Sequence, residues 1–115
     1  RFHSVKTAAE LKRNRLTNAA GRLIIKVPKS KLTDTPNVIT QVVGKNGGIE
    51  RNYYDAAGKQ VKQISNNDHG HPKQHPFGKF GEHAHDYVYD ADGELVERAT
   101  RELTDDERSE NKDIL

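Results

Sequence analysis

Short runs of Val, Ile and Tyr, separated by turn-forming residues, mark the second half of the chain as β-structure. The pattern predicts four strands, at about residues 49–55, 60–66, 84–90 and 94–99. The two strands of each pair are joined by similar tetrapeptides, Asp55-Ala56-Ala57-Gly58 and Asp90-Ala91-Asp92-Gly93. Aspartate favours the start of a turn and glycine supplies the positive φ that ends it, so the pattern predicts two antiparallel hairpins.

The hydrophobic pattern of the first half favours helices instead. Thr7 and Glu10 have the spacing of a capping box, and Gly21 stands where a helix commonly ends, which predicts a helix over residues 7–20. A short strand is predicted at 23–27, where a proline ends a run of aliphatic residues.

A second helix is predicted between Pro36 and Gly44. The aliphatic residues of 38–43 would form a stripe on one helical face, with proline at the first helical position and glycine as the stop. Because several of these residues are β-branched, which lowers helix propensity, a strand at 38–43 remains the alternative.

At the C-terminus, Thr104 and Glu107 again have capping-box spacing, which predicts a short polar helix to about Lys112. Together the elements predict an α+β fold, with N-terminal helices packed on a twisted antiparallel sheet of about four strands. The length predicts a single domain over 1–115. Because the chain begins with an arginine rather than a methionine, residues 1–6 are interpreted as a linker from a larger carrier.

Composition limits the chemistry that the chain can perform. Hydrophobic residues make up 32% of the chain and charged residues 31%, so the core is expected to be thin. The absence of cysteine excludes disulfides, thiolate zinc sites and cysteine catalysis. No apolar run approaches the length that spans a bilayer, and no membrane partner is predicted.

The net charge of +2 hides an asymmetry along the chain. Residues 1–48 carry ten Lys and Arg against two Asp and Glu, whereas residues 49–115 carry nine against fifteen. A strongly basic segment favours a polyanionic partner, and nucleic-acid backbones are the commonest of these. The alternative is a solvated basic face that only maintains solubility.

Five of the six histidines lie within residues 66–89. Alternation along the predicted strand places His83, His85, Tyr87 and Tyr89 on one face. The preceding loop is long enough to be functional, and its His69 and His75 are favoured over the remaining loop histidine. One neutral imidazole can take a proton from a nucleophile while a protonated imidazole gives one to the leaving group, so the cluster predicts acid–base chemistry.

Phosphodiester cleavage also needs a cation to stabilise the charge that develops on phosphorus. The predicted catalytic residues are Arg51, His69, His75, His83, His85 and Tyr87. The predicted substrate-binding residues are Lys62, Lys73, Lys79 and Arg98.

Metal binding is the main chemical alternative. The pairs His83-x-His85 and His69-x-His71 have same-face spacing, and Asp68, Glu82 and Asp86 offer oxygen ligands. Histidine-metal nuclease fingers place further ligands on a following helix, and the sequence has no such set. The prediction is therefore a site without a metal or other cofactor.

The second half of the chain resembles the C-terminal toxin domains of bacterial polymorphic toxins. The resemblance covers about residues 49–112 and rests on four stretches: Arg51-Asn52-Tyr53-Tyr54-Asp55, Asn67-Asp68-His69-Gly70, His75-Pro76-Phe77-Gly78 and Glu82-His83-Ala84-His85-Asp86-Tyr87. Such domains occur on contact-dependent inhibition, Rhs, LXG and phage-head-associated carriers. The fold group that it points to is the Barnase–EndoU–colicin–RelE-like nucleases.

This resemblance implies a helix followed by a twisted antiparallel sheet, and a metal-independent ribonuclease that often acts on tRNA. It also implies a cognate immunity protein that blocks the cleft, and delivery on a carrier into the cytoplasm of a target cell. The leading hypothesis is thus an RNase toxin, monomeric when free, that cleaves by histidine-based transesterification. A metal-dependent DNase and a non-enzymatic nucleic-acid-binding module are the alternatives.

Overall fold

The computed structural model describes residues 14–115, which form a seven-stranded sheet followed by a short helix. In chain order the elements are β1 (Arg15–Thr17), β2 (Leu23–Lys26), β3 (Ile39–Val43), β4 (Ile49–Tyr54), β5 (Gln60–Ser65), β6 (His83–Tyr89), β7 (Leu95–Arg101) and α1 (Asp105–Glu110). The strands lie side by side in the same order as in the chain. Every neighbouring pair is antiparallel except β2 and β3, which are parallel.

The predicted α+β fold with N-terminal helices is therefore wrong for the described residues. Residues 14–20 of the first predicted helix form β1 and the turn into β2, while residues 1–13, including the predicted linker 1–6, lie outside the described part. The turn forms because the Asn18 side chain accepts hydrogen bonds from the backbone N–H groups of Ala20 and Arg22, both at 2.9 Å. Gly21 then adopts a φ of 80°, which directs the chain back as a hairpin.

The second predicted helix is also wrong, because Ile39–Val43 forms β3, an interior strand of the sheet. Ile39, Thr40 and Gln41 are consecutive and all buried, so both faces of this strand are covered. Burial on both faces favours β-branched residues in an extended chain, and this outweighed the proline and glycine signals.

The predictions for the second half agree with the described elements. The four predicted strands are present as β4 to β7, with three further strands before them. The capping box of α1 is confirmed: the Thr104 hydroxyl accepts from the Glu107 N–H, and the Glu107 carboxylate accepts from the Thr104 N–H.

One face of the sheet, here called the core face, carries the small hydrophobic core and is covered by the C-terminal segment. The core consists of Ile24, Ile39, Tyr53, Ile64, Ala84 and Leu103. The segment is fixed by the amide of Asn111, which donates to the Tyr53 hydroxyl at 3.1 Å, and by the carboxylate of Glu107, which receives hydrogen bonds from Arg101. The described chain contains no helix with the length and apolarity needed to cross a membrane.

Candidate functional site

Four of the five histidines in residues 66–89 come together on the opposite side of the sheet, here called the polar face. His83 and His85 project from β6, and His69 and His75 come from the loop 66–82. The rings of His75 and His83 are stacked, with centroids 4.0 Å apart and planes inclined by 10°. The remaining neighbours meet edge to face, at 4.7 Å for His83 and His85 and 5.2 Å for His69 and His83. These four residues are referred to below as the histidine cluster.

A glycine lets the loop approach β6 closely enough to build this cluster. Gly81 has a φ of 78°, and a Cβ placed on it would lie 2.3 Å from the Cβ of Asp68, so only glycine fits there. The Gly81 carbonyl then accepts a hydrogen bond from Nδ1 of His83 at 2.7 Å. The Asp68 carbonyl accepts from Nδ1 of His75 at 3.0 Å. The backbone carbonyls of Gly81 and Asp68, two residues in close contact with each other, therefore orient both stacked rings.

The end of the loop is held by an ion pair. The Glu82 carboxylate accepts a hydrogen bond from Arg108 of α1 at 2.8 Å and another from the Phe80 N–H at 2.8 Å. Burial opposes ionisation of this carboxyl, but these hydrogen bonds outweigh it and lower the pKa of Glu82. The ion pair therefore anchors the loop next to the first residue of β6.

His85 also belongs to a transverse row of polar residues that crosses the sheet. The strand register aligns Thr40, Asn52, Gln63, His85 and Thr100 on five neighbouring strands. Hydrogen bonds run along the row: Gln63 donates to Asn52 at 2.8 Å, and Asn52 donates to Thr40 at 3.2 Å. At the other end, the Thr100 hydroxyl is 2.9 Å from Nδ1 of His85. Within this row, Thr100 is the residue that holds the His85 ring through a hydrogen bond.

The two strand histidines are neutral at ordinary pH. His83 is fully buried and His85 is 2% exposed. Burial lowers the pKa of His85 from its ordinary 6.5 to about 3, and the neighbouring Arg98 and the other histidines act in the same direction. Burial also lowers the pKa of His83, against the opposing effect of its hydrogen bond to Gly81. Neither ring is therefore suited to donate a proton as an imidazolium near neutrality.

The loop histidines form the accessible side of the cluster. His69 is exposed and His75 is half-buried. His69 lines an open groove of about 560 Å³ between the β3–β4 turn and the loop, and His75 lines a second groove of about 610 Å³. Phe80, which is 60% exposed, borders both grooves. A ligand from solvent therefore meets His69, His75 and an exposed aromatic ring before it meets the strand histidines.

Comparison with known proteins adds no homologue from which a function could be transferred. No family model, curated protein or solved structure matches this chain. The resemblance to polymorphic toxin domains thus stays a prediction, and the site has to be interpreted from its own chemistry.

The structure places the predicted site residues in three different settings. Tyr87 and Arg98 face each other on β6 and β7 beside His85, and Nε of Arg98 donates to the Tyr87 hydroxyl at 3.0 Å. Lys73 and Lys79 are exposed on the loop, as is His71, whose ring is not part of the cluster. These residues lie on the same side of the sheet as the cluster or in its loop.

Arg51 and Lys62 belong to the core face instead. Arg51 is fully buried and binds the Asp113 carboxylate with both guanidinium nitrogens, at 2.9 and 2.5 Å. Lys62 forms an ion pair with Glu107 at 2.9 Å. The sheet separates both residues from the histidine cluster, so neither can contact a phosphate bound there.

The sequence reasoning missed the residues that orient the rings. Asp68 and Gly81 act through backbone carbonyls, which leave no side-chain signature. Thr100 reaches Nδ1 of His85 through the register of β6 and β7, and a single sequence does not give that register. Polar residues occur on both faces of β5 and β7, so alternation along these strands gave no signal for the row.

Proposed function

We propose that the protein is an endoribonuclease whose active site is the histidine cluster. The observation that carries this proposal is the arrangement of four imidazole rings, two of them accessible, beside the guanidinium group of Arg98. Imidazoles transfer protons at neutral pH, and a guanidinium group stabilises phosphate charge, so together they provide the groups that phosphodiester cleavage needs.

In the proposed reaction, His69 is the general base because it is the exposed ring of the cluster. It takes the proton of the 2′-hydroxyl group, and the 2′-oxygen attacks the adjacent phosphorus. The bond between phosphorus and the 5′-oxygen breaks, which gives a 2′,3′-cyclic phosphate on one product. The 5′-oxygen leaves with the bonding electrons and takes a proton from water to become the 5′-hydroxyl of the other product, and His69 then releases its proton to the solvent.

The surroundings of the cluster support a nucleic-acid substrate. The exposed cations Lys73, Lys79 and Arg98 suit a phosphate backbone, and Lys45 lines the same groove as His69. The exposed ring of Phe80 offers a surface on which an unpaired base can stack, with the ammonium of Lys79 5.5 Å from its centre. Stacking of this kind favours single-stranded RNA or a loop of a folded RNA such as tRNA.

The biological setting is proposed from the resemblance of residues 49–112 alone. In that setting the domain is a toxin delivered on a larger carrier, and it acts in the cytoplasm of a target cell. A cognate immunity protein would protect the producing cell by covering the grooves next to His69 and His75. An acidic surface on such a partner would complement the exposed lysines of the loop.

The proposal is tested with a pair of single-histidine variants, His69→Ala and His71→Ala. Both residues are exposed and both lie in the same loop, but only His69 is in the cluster. The wild-type chain and His71→Ala should cleave a labelled single-stranded RNA, while His69→Ala should lose at least about 100-fold in rate, as expected for a general base. Products should end in a 2′,3′-cyclic phosphate, and the matching DNA strand should stay intact because it lacks the 2′-hydroxyl.

Three results would contradict the proposal. Cleavage of the DNA strand with 5′-phosphate ends would favour hydrolysis by a DNase instead. Equal rates for the two variants would remove His69 from the reaction. Salt-dependent binding of RNA without any cleavage would identify a binding module rather than an enzyme.

A further inference from the structure

We propose that the histidine cluster is a metal site, in which Nε2 atoms of His75, His83 and His85 bind one divalent zinc-type ion. Each of these residues offers one ring nitrogen, and the three nitrogens lie within 4.8 Å of one another. The binding of the ion is independent of the proposed function; only the catalytic role given to it below rests on that function.

The hydrogen bonds at Nδ1 of His75 and His83 leave the Nε2 atoms of these rings for metal binding. Nδ1 of His83 and Nδ1 of His75 lie next to carbonyl oxygens, which only accept hydrogen bonds, so both Nδ1 atoms carry the proton. In each neutral ring the lone pair is then on Nε2. Metal-binding histidines are commonly held in this way, with the other ring N–H donated to a carbonyl or hydroxyl oxygen.

Nε2 of His83 and Nε2 of His85 are only 3.1 Å apart. Two zinc–nitrogen bonds of about 2.05 Å at a tetrahedral angle separate the nitrogens by roughly 3.3 Å. The two strand histidines are thus already close to the spacing of ligands on a common ion. Without an ion, Nε2 of His85 has to carry a proton and donate it to the lone pair of His83.

Thr100 permits both states of His85. Its hydroxyl group is 2.9 Å from Nδ1 of His85 and, unlike a carbonyl, can either donate or accept a hydrogen bond. When Nε2 of His85 is protonated, the hydroxyl donates to Nδ1. When Nε2 binds the ion, Nδ1 carries the proton and donates a hydrogen bond to the hydroxyl oxygen. Thr100 is therefore a positioning residue that holds the His85 ring and accommodates its metal-binding tautomer.

The ligand set fits zinc better than magnesium or calcium. Magnesium and calcium prefer oxygen ligands, and the nearby carboxylates are engaged elsewhere: Asp86 and Glu82 with arginines, and Asp68 with the Gly70 N–H. Three imidazoles are typical of catalytic zinc sites, which keep a fourth position for water or substrate. In the proposed cleavage, the leaving 5′-oxygen would occupy this fourth position, and the ion would neutralise its charge. His69, which is not a ligand, acts as the base.

The site is tested by titrating the untagged chain with Zn²⁺ by calorimetry and with Co²⁺ by visible absorption. The wild type should bind one Zn²⁺ per chain, and the Co²⁺ form should give the intense absorption of a four-coordinate complex. His75→Ala should weaken Zn²⁺ binding at least about 100-fold, while His71→Ala, an exposed histidine of the same loop, should bind like the wild type. Thr100→Val should weaken binding about 10-fold, and Thr100→Ser should restore it.

His75 and Thr100 are chosen because neither is fully buried, and the fold of each variant is checked by its unfolding transition. The metal site is disproved if the wild type binds no Zn²⁺, or if folded His75→Ala binds it as tightly as the wild type. Zn²⁺ binding by a chain that leaves RNA intact would overturn the proposed function and retain the metal site. RNA cleavage by a chain that binds no Zn²⁺ would overturn the metal site and retain the proposed function.

Discussion

Arg51 and Arg98 project from opposite faces of one sheet, and they differ in solvent exposure and in the charge of their hydrogen-bond partners. Arg51 is fully buried on the core face, where Asp113, Asn111 and Gln41 accept its hydrogen bonds. Arg98 is exposed on the polar face, and its partners are the uncharged oxygens of Tyr87 and Gln63. The charge of Arg51 is compensated by a carboxylate within the fold, whereas within residues 14–115 no hydrogen bond of Arg98 is to a carboxylate.

The comparison extends to the neighbouring polar groups. On the core face, Glu107 is bound by Arg101, Lys62 and the cap of α1, so its hydrogen-bonding capacity is used for stability. On the polar face, the stacked His75 and His83 use Nδ1 for orientation, and Nε2 remains for chemistry. Polar residues of the core face hold the fold together, and those of the polar face hold a site in shape.

The largest effect on stability is expected for Arg51→Ala. The substitution leaves the Asp113 carboxylate and the buried amide of Asn111 without their partner and opens a cavity in the core face. Water can solvate the partly exposed Asp113 carboxylate, so the cost comes from the cavity and the unpaired buried amides, and we expect about 3–5 kcal/mol. Chemical denaturation should show this loss in the free energy of unfolding. A change below about 1 kcal/mol would mean that the pair contributes little to the stability of the core face.

Glu107→Gln should cost about 3 kcal/mol at pH 7, with a characteristic pH dependence. Burial opposes ionisation of Glu107, but hydrogen bonds from Arg101, the Thr104 N–H and Lys62 outweigh it and lower the pKa to about 2. Because the folded pKa is below the unfolded value, this stabilisation is complete above about pH 5 and is lost as the pH falls towards 2. Wild type and variant should thus converge in urea denaturation near pH 2.

If the variant lost the same stability at pH 2.5 as at pH 7, packing rather than charge would explain the effect. Asp106→Asn is the matched control. Asp106 is an exposed carboxylate in the same helix, and its substitution should change stability by less than about 0.5 kcal/mol at either pH.

An intermediate effect is expected for Asn52→Leu in the polar row. The fully buried Asn52 carbonyl oxygen accepts hydrogen bonds from Gln60 and Gln63, each at 2.8 Å. Leucine would leave both buried amides without an acceptor, at a cost of about 2–3 kcal/mol. Urea denaturation measures this cost. Asn46→Leu, at an exposed position in the β3–β4 turn, is the control, and equal losses for the two variants would contradict a structural role for the row.

The smallest effect on stability, and a large one on activity, is expected for Arg98→Ala. An exposed side chain without an ion-pair partner contributes less than about 0.5 kcal/mol to folding. Loss of one phosphate-binding cation should nevertheless slow RNA cleavage about 10-fold or more and make the rate less dependent on salt. Lys29→Ala, an exposed cation outside the cluster, is the control. Unchanged cleavage by Arg98→Ala would exclude the guanidinium from the site.

Part of the fold was predictable because one turn motif recurs. The tetrapeptides that begin at Asp55 and Asp90 correctly predicted two hairpins, and their aspartates accept the expected backbone hydrogen bonds. Asn18-Ala19-Ala20-Gly21 is the same motif with asparagine in the first position, and it joins β1 and β2. It was missed because alanines and a terminal glycine also suit the end of a helix.

The site was predictable in its residue types but not in its geometry. Strand alternation correctly put His83 and His85 on one face, and their chemical roles stay predictions. Arg51, also predicted as a catalytic residue, pairs with Ile64 and lies on the core face, away from the cluster. Whether residues of two different strands lie on the same face of the sheet depends on the strand register. The register is set by the turns and by the burial of all neighbouring strands.

The order of the strands has a consequence for how the molecule forms. Strands that are neighbours in the sheet are also neighbours in the chain, so most strand pairs can form by hydrogen bonding that begins at a local turn. Two long connections between paired strands also have to close, the segment 27–38 and the loop 66–82. The second of these brings His69 and His75 to β6. Since longer closures lose more chain entropy, we expect the hairpins to form early and the cluster to assemble late. Refolding chains should then regain their β-sheet signal before they regain the proposed RNA cleavage.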